Sequence, residues 1–391
     1  MARSVGPGPD RLRRSRRPAG RLGPVHRRPA GPALTLGGSR GAPPPLDLRQ
    51  ADERAATRVL IPPMSAPPSR PPGDEVRRLG GESMGTTWSV CAVAPAAIDD
   101  ATLTAAVRSE LDATIAAFSP WERSSEISRF NAAPAGVWAL SQTFWTVLEA
   151  SMNLADDTDG AVDPTLGALV DLWGFGPPGP RTAPAIPTDE EIAQALTVSG
   201  WQRLRLNRDA RGAMQPGGMR LDFSGIAKGH AVDRVCEALT RLGATSHLVE
   251  IGGEMRGAGV KPDGQPWWIG LEEPPGAPSS RTVAALVDIA VATSGDWRRA
   301  FEHEGQVYPH TLDGKTGRPI DNGVTSVTVF HASAMIADAW ATALTVMGPD
   351  QGPGLAEAYG LAAQMVVRAP DGVVEHLTPA FIAMMDEDEA A

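Results

Sequence analysis

Apolar residues along the chain keep two rhythms, one of period two and one near period four, and regular patterning begins near Val76. The run Thr86, Thr87, Trp88, Ser89, Val90, Cys91, Ala92, Val93 reads as a strand. Over 101–118 the positions Leu103, Val107, Leu111 and Ile115 recur at helical spacing, which predicts a helix packed on that strand. A second helix is expected from Ser141, an N-cap residue, through Phe144, Val147, Leu148 and Met152 towards Asp156, with Gly160 as its stop. Residues 177–187 are Pro-rich and read as a surface loop, after which Thr188 and Asp189 cap a short helix. Residues 219–223 are expected to form a strand that opens through Ser224 and Gly225 into a helix carrying Val232, Val235, Leu239 and Leu242, closed by Gly243. Further strands are predicted over 248–251, 267–271, 283–292 and 324–330, and a last helix over 333–347, stopped by Gly348 and Pro349. Strands and helices mix without steady alternation or internal repeat, so the expected fold class is α+β rather than a doubly wound sheet.

Composition narrows the picture. The chain has 391 residues, 42% of them hydrophobic, which suits a globular protein with a sizeable core. Its formal charge of −10 is unevenly placed, because the stretch up to about Arg78 is rich in Arg and Pro and the remainder is acidic. An acidic body disfavours nucleic-acid binding. Cys91 and Cys236 are the only cysteines, too few for a disulfide framework or a thiolate metal site. No apolar run approaches the roughly 18 to 20 residues that span a bilayer. The cluster Arg11, Arg13, Arg14, Arg16, Arg17 is followed by Pro, Gly and more Arg rather than by the apolar segment of an export signal. Residues 1–75 are therefore expected to be a disordered extension, with Met64 an alternative start, residues 76–385 one domain, and residues 386–391 an acidic tail.

Four segments could carry chemistry. In Leu221, Asp222, Phe223, Ser224, Gly225, Ile226, Ala227, Lys228, Gly229, His230, small residues lead into a helix start, where backbone N–H groups and Lys228 would form a phosphate cradle. The Lys followed by Ser or Thr of a Walker loop is missing, and an ordinary strand-to-helix turn would look the same. On the late helix Asp338 and Thr342 stand four apart on one face, where their hard oxygens could hold Mg²⁺ or simply form a polar helix face. His310, on a strand running into the turn Asp313, Gly314, Lys315, Thr316, Gly317, could act as a general base oriented by Asp313, or be structural. The seven histidines show no paired zinc spacing. Gly252 and Gly253 would let a ligand approach the backbone, and Trp88, Trp121 and Trp173 could stack on a flat ring or belong to the core.

Taken in order, these segments resemble the ApbE family of FAD:protein FMN transferases. The resemblance is carried by Met84 to Trp88, by Ser125, Glu126, Ile127, Ser128, Arg129, Phe130, by Gly160 to Thr165, by Leu172 to Gly176, by Asp222 to Asp233, and by Ile251 to Glu254. It continues through Ala292 to Asp296, His310 to Pro319, and Ala337, Asp338, Ala339, Thr342 and Gly348, and so covers nearly everything from Gly81 to about Val367. It implies a single large α+β domain with a T-fold-like core. It implies FAD contacts at Met84, Trp121, Ala161, Val162, Asp163, Asp222, Lys228 and Leu312. Magnesium would be held by the Gly225 carbonyl, Asp338 and Thr342. Ala341 stands where some relatives place a further carboxylate, so one ligand is missing or replaced by water.

The implied activity is Mg²⁺-dependent transfer of FMN from FAD to a Thr or Ser hydroxyl of an acceptor redox protein, with release of AMP. His310 is the candidate base, aided by Asp313 or Asp222. The implied partner is an acceptor flavoprotein with a Ser/Thr flavinylation motif, such as a subunit of a membrane redox complex. With neither a lipid-attachment cysteine nor a credible signal, the expected location is the cytoplasm; a misassigned start would make it periplasmic or membrane-anchored. An FAD pyrophosphatase giving FMN and AMP would use the same site, and a noncatalytic FAD-binding protein is the alternative from another class. A nicotinamide oxidoreductase is disfavoured, because no Gly-rich fingerprint follows a strand with an acidic residue at the right distance.

Overall fold

Period-two patterning becomes an eight-stranded antiparallel sheet in the computed structural model, which describes residues 57–63, 68, 71–182, 185–273, 281–295, 299–370 and 372–385. In chain order the elements begin with β1 (Thr57–Leu60), β2 (Arg77–Ser83), β3 (Thr86–Val93), α1 (Asp100–Phe118), α2 (Glu126–Asn131), β4 (Gly136–Ala139), α3 (Gln142–Asp157), α4 (Gly167–Leu172) and α5 (Asp189–Val198). They continue with β5 (Arg205–Asn207), β6 (Gly212–Gln215), α6 (Ala227–Arg241), β7 (Ser246–Ile251), β8 (Glu254–Ala258), β9 (Trp267–Gly270), β10 (Arg281–Leu286) and β11 (Ile289–Gly295). The last are β12 (Ala300–His303), β13 (Gln306–Pro309), β14 (Leu312–Asp313), β15 (Arg318–Pro319), β16 (Val324–His331), α7 (Ala334–Ala358), β17 (Ala362–Ala369), β18 (Gly372–Leu377) and α8 (Pro379–Ile382). The large sheet runs β18-β17-β16-β11-β8-β7-β3-β2.

Alternation along its strands sends side chains to two different cores. On one face Trp88, Val90 and Ala92 of β3 and Val249 and Ile251 of β7 meet Val232, Val235 and Leu239 of α6 and Leu103, Val107 and Leu111 of α1. On the other face Val93, Val291 and Phe330 meet Leu60, Trp267, Ile269, Ala284 and Leu286 of the small sheet β1-β10-β9. Each Val, Leu, Ile or Phe side chain buried there contributes about 1.5–3 kcal/mol. A third core joins α2, α3 and α7, with Phe223 edge-on to both Phe118 (5.5 Å) and Phe144 (5.3 Å). Phe223 lies just before α6, so this aromatic cluster anchors the segment that leads into the site.

Side-chain caps place the helix starts. Asp99, Ser125, Ser141, Ser333 and Thr378 each accept a backbone N–H of the first turn, and Thr188 with Glu191 forms a full capping box. Gly160 (φ 80°) and Gly243 (φ 86°) follow the ends of α3 and α6 in the left-handed region. Among the described residues no helix is long and apolar enough to cross a membrane.

Four sequence expectations need correction. Residues 219–223 are not a strand: Arg220 alone bridges to Leu166, while the Leu221 N–H donates to Asn131 Oδ1 (2.7 Å) and the Asp222 N–H to the Pro164 carbonyl (2.9 Å). Residues 283–292 are parts of two strands, β10 and β11, which turn at Asp288 (φ 54°) into different sheets; Asp288 is the one charged residue in an otherwise apolar run. The helix that starts after Ser333 breaks at Gly348 (φ 71°) but resumes, because Pro349 enters the first turn beyond the break, where its missing N–H costs nothing. The expected disorder of 1–75 fails at β1, which pairs parallel to β10 and buries Leu60 completely. Residues 1–56, with the Arg cluster, Met64, Asp296 and the 386–391 tail lie outside the described residues.

Candidate active site

The helices α6 and α7 cross with almost no space between them. A Cβ at Gly229 would stand 2.2 Å from the Ala334 carbonyl oxygen, so glycine is required for this approach. Close contact lets the Gly229 N–H donate to Asp338 Oδ2 at 3.0 Å. Burial lifts the Asp338 carboxyl above its ordinary value, against the opposing pull of Lys228 and of that amide. Lys228 pairs with Glu254, a side chain 1% exposed that β8 carries just after the Gly252–Gly253 turn. One turn further along the same face of α7, Thr342 Oγ1 would lie 2.8 Å from a Cβ at Gly225. Asp338, Thr342, Gly225 and Lys228 thus border one cavity of ≈320 Å³.

Turns and hairpins build the opposite wall. The turn after α3 contributes Ala161, Val162 and Asp163, the β2–β3 turn contributes Met84, and β14 contributes Leu312. His310 follows the β12–β13 hairpin, and its Nδ1 lies 3.0 Å from the Arg299 carbonyl oxygen. A carbonyl can only accept, so Nδ1 carries the proton and Nε2 keeps its lone pair. Burial, together with the charges of Arg299 and Lys228 and against that hydrogen bond, lowers the His310 pKa to about 4. Arg299 itself lines the cavity, with its guanidinium bonded to the Phe175 carbonyl and standing 5.8 Å from the Phe175 ring centroid.

Of the fourteen residues given a catalytic, flavin or metal role from the sequence, eleven line this cavity: Met84, Ala161, Val162, Asp163, Asp222, Gly225, Lys228, His310, Leu312, Asp338 and Thr342. Three do not. Trp121 stands 57% exposed on the turn after α1. The Asp313 carboxylate accepts the Lys315 N–H (2.9 Å) within its own turn, and the ring of His310 is held by Arg299, so Asp313 does not orient the histidine. Ala341 is 1% exposed in the core, and its carbonyl accepts the Thr345 hydroxyl at 2.7 Å, which leaves it no oxygen to offer a cation. The phosphate-cradle reading also changes, since the Gly229 amide at the start of α6 is taken by Asp338.

Two further carboxylates at the cavity serve turns. Asp163 Oδ1 accepts Thr165 N–H (2.8 Å) and Oγ1 (2.6 Å), and its Oδ2 accepts Trp201 N–H (3.1 Å). Asp222 accepts Ser224 N–H (2.9 Å) and Oγ (3.1 Å). Burial raises both carboxyls while these bonds oppose it, with Arg299 also pulling Asp222 down. Trp88 and Trp173 are core residues, each 3% exposed, and Trp173 donates to the Gly317 carbonyl at 2.8 Å. Sequence reading missed Arg299 and the partnership of Lys228 with Glu254. Glu254 stood beside a quoted glycine pair, but its partner is 26 positions away.

A family model for the ApbE family matches residues 84–365. The FAD:protein FMN transferase of Vibrio cholerae serotype O1 is 38% identical over 315 residues, spanning 79% of this chain and 92% of that one. The FAD:protein FMN transferase of Escherichia coli K12 is 32% identical over 321 residues, spanning 80% and 90%. Among solved structures, the apo form of the Pseudomonas stutzeri flavinyl transferase ApbE aligns with a TM-score of 0.74 at 38% identity, covering 80% of this chain and 97% of that one.

Proposed function

This chain belongs to the ApbE family and is an FAD:protein FMN transferase, and from that premise we propose how its cavity performs the transfer. The FAD pyrophosphate lies between the helix wall and the turn wall, and a Ser or Thr hydroxyl of an acceptor protein attacks the phosphorus on the FMN side. The bond from that phosphorus to the bridging oxygen breaks, AMP leaves, and the acceptor keeps FMN through a phosphoester. The observation that carries this reading is the meeting of a neutral histidine, two cations and a carboxylate–hydroxyl pair in one cavity.

Each residue then has a physical task. Lys228 and Arg299 attract the anionic pyrophosphate and hold it for in-line attack. His310 takes the acceptor's proton on Nε2, since its Nδ1–H is fixed on the Arg299 carbonyl. The pKa of about 4 reflects, after burial, the push of those same cations. An anion bound beside them opposes that push and raises the histidine's proton affinity when a base is needed. Asp338, the Thr342 hydroxyl and the Gly225 carbonyl would hold Mg²⁺, and they suit it: all are hard oxygens, and Asp338 is a buried carboxylate whose charge a cation would offset. When bound, Mg²⁺ supplies charge neutralisation to the pyrophosphate and to the departing phosphate.

The test incubates the purified chain with FAD and Mg²⁺, with and without an acceptor peptide carrying a Ser/Thr flavinylation motif. Mass spectrometry is expected to show an FMN adduct on the peptide and one AMP released per adduct. Free FMN as the sole flavin product beside a competent acceptor would contradict transfer to a hydroxyl.

A further inference from the structure

Asp233 lies one turn beyond Gly229 on α6, and Asp338 lies one turn beyond Ala334 on α7. The two pairs mirror each other. Asp338 of α7 accepts the Gly229 N–H at the start of α6. Asp233 of α6 accepts the Ala334 and Met335 N–H groups at the start of α7, both at 3.0 Å. Each helix start is therefore satisfied by a carboxylate of the other helix, which also suits the positive end of each dipole. Asp233 further accepts the hydroxyl of Ser333, the α7 cap residue, at 2.6 Å, and Arg256 of β8 at 2.5 Å. It is 8% exposed and does not line the cavity.

We propose that Asp233 is a positioning residue for the cation site of the preceding section, and the inference rests on that reading. The carboxylate fixes the first turn of α7 against α6, from the cap residue onward. Asp338, a turn further along, then meets the Gly229 amide with one oxygen and keeps the other for the cation, with Thr342 beside it. Arg256 holds Asp233 from the sheet, so the reach of the clamp extends from β8 through α6 to α7. A cation site needs its ligands held within about half an ångström, and this clamp is the means. The hydrogen bonds that orient ligands in this way typically govern metal affinity by about 10- to 100-fold.

The experiment uses the full chain and Mn²⁺ as an EPR-visible probe, with FAD binding in the absence of metal followed by flavin fluorescence. Asp233→Asn is expected to weaken Mn²⁺ binding about tenfold while FAD binding stays unchanged and saturating Mg²⁺ restores kcat. Ser333→Ala, which removes one donor and keeps the carboxylate, is expected to weaken Mn²⁺ binding less and in the same direction. Equal losses of Mn²⁺ and FAD affinity in Asp233→Asn, unrelieved by excess metal, would mean general loosening and overturn the proposal. If Asp233→Asn does not fold, Ser333→Ala decides, and wild-type Mn²⁺ affinity in that variant overturns it. Asp338→Ala separates the two layers. Loss of Mn²⁺ binding there beside unchanged binding in Asp233→Asn removes this inference alone, whereas unchanged binding in Asp338→Ala removes the cation site and the inference with it.

Discussion

The two walls of the cavity use the same side chain for different purposes. On the turn wall and the segment leading into α6, Asp163, Asp222 and Asp313 each accept the backbone N–H two residues ahead. Their carboxylates shape the loops that carry Ala161, Val162, Gly225 and Leu312, as Asx turns do. On the helix wall Asp338 accepts an amide more than a hundred residues away, and Asp233 does the same in reverse. Those bonds hold elements together instead of bending a loop. A carboxylate whose structural duty is met across an interface by one oxygen can still present the other to a ligand. One whose duty is a tight local turn has its geometry fixed by that turn.

The sharpest test of this contrast replaces Asp338 by Asn, which keeps an acceptor for the Gly229 amide and removes the charge. Transfer is expected to fall by about 100-fold or more, read as AMP release, with FAD binding retained in the absence of metal. A near-wild-type rate would erase the difference between the walls.

His310→Gln should lower kcat by about 100- to 10,000-fold with a smaller change in KM for FAD. As the proposed base, His310 must be neutral, so the acid limb of kcat/KM in the wild type is expected near its pKa of about 4. A limb at the ordinary histidine value would show that the hairpin does not desolvate the ring. His230 and His247 are likewise lowered to about 4 from 6.5, in both cases chiefly by burial. For these three groups the unfolded chain binds more protons between pH 6.5 and about 4. Their contribution to stability is therefore complete above 6.5 and lost as pH falls towards 4, which thermal melts across that window would display.

Gly229→Ala tests the helix crossing itself. The added methyl must displace the Ala334 carbonyl, at a cost of about 1–3 kcal/mol, seen as a lower Tm and a higher Mg²⁺ requirement. The smallest effect belongs to Asp313→Asn, because the amide oxygen can accept the Lys315 N–H equally well. Stability within about 0.5 kcal/mol and unchanged transfer are expected, and a large loss of kcat would return Asp313 to the reaction.

Much of the framework was legible locally. The caps Ser141, Thr188 and Ser333, the stops Gly160 and Gly243, and the alternation of β3 act within a few residues, so spacing reveals them. The ordered motifs from Met84 to Thr342 pointed to eleven residues of one cavity, because a family resemblance carries spatial information that periodicity lacks. The two strands within 283–292 read as one, since the turn between them is marked by Asp288 alone, without glycine or proline. Arg299 escaped too, because its part depends on a hairpin that returns the chain to His310.

Sequence by itself determined where the capped helices α3, α5 and α7 start, where α3 and α6 stop, and which of their faces are apolar. Tertiary structure alone decided which aspartates remain available for phosphate and cation chemistry. Asp222, Asp313 and Asp338 look alike in a string of letters, and hydrogen bonds over two residues or over a hundred tell them apart. The physical reason is that a carboxylate's availability is set by the donors around it, and on the helix wall those donors come from elements brought together only when α6 and α7 cross.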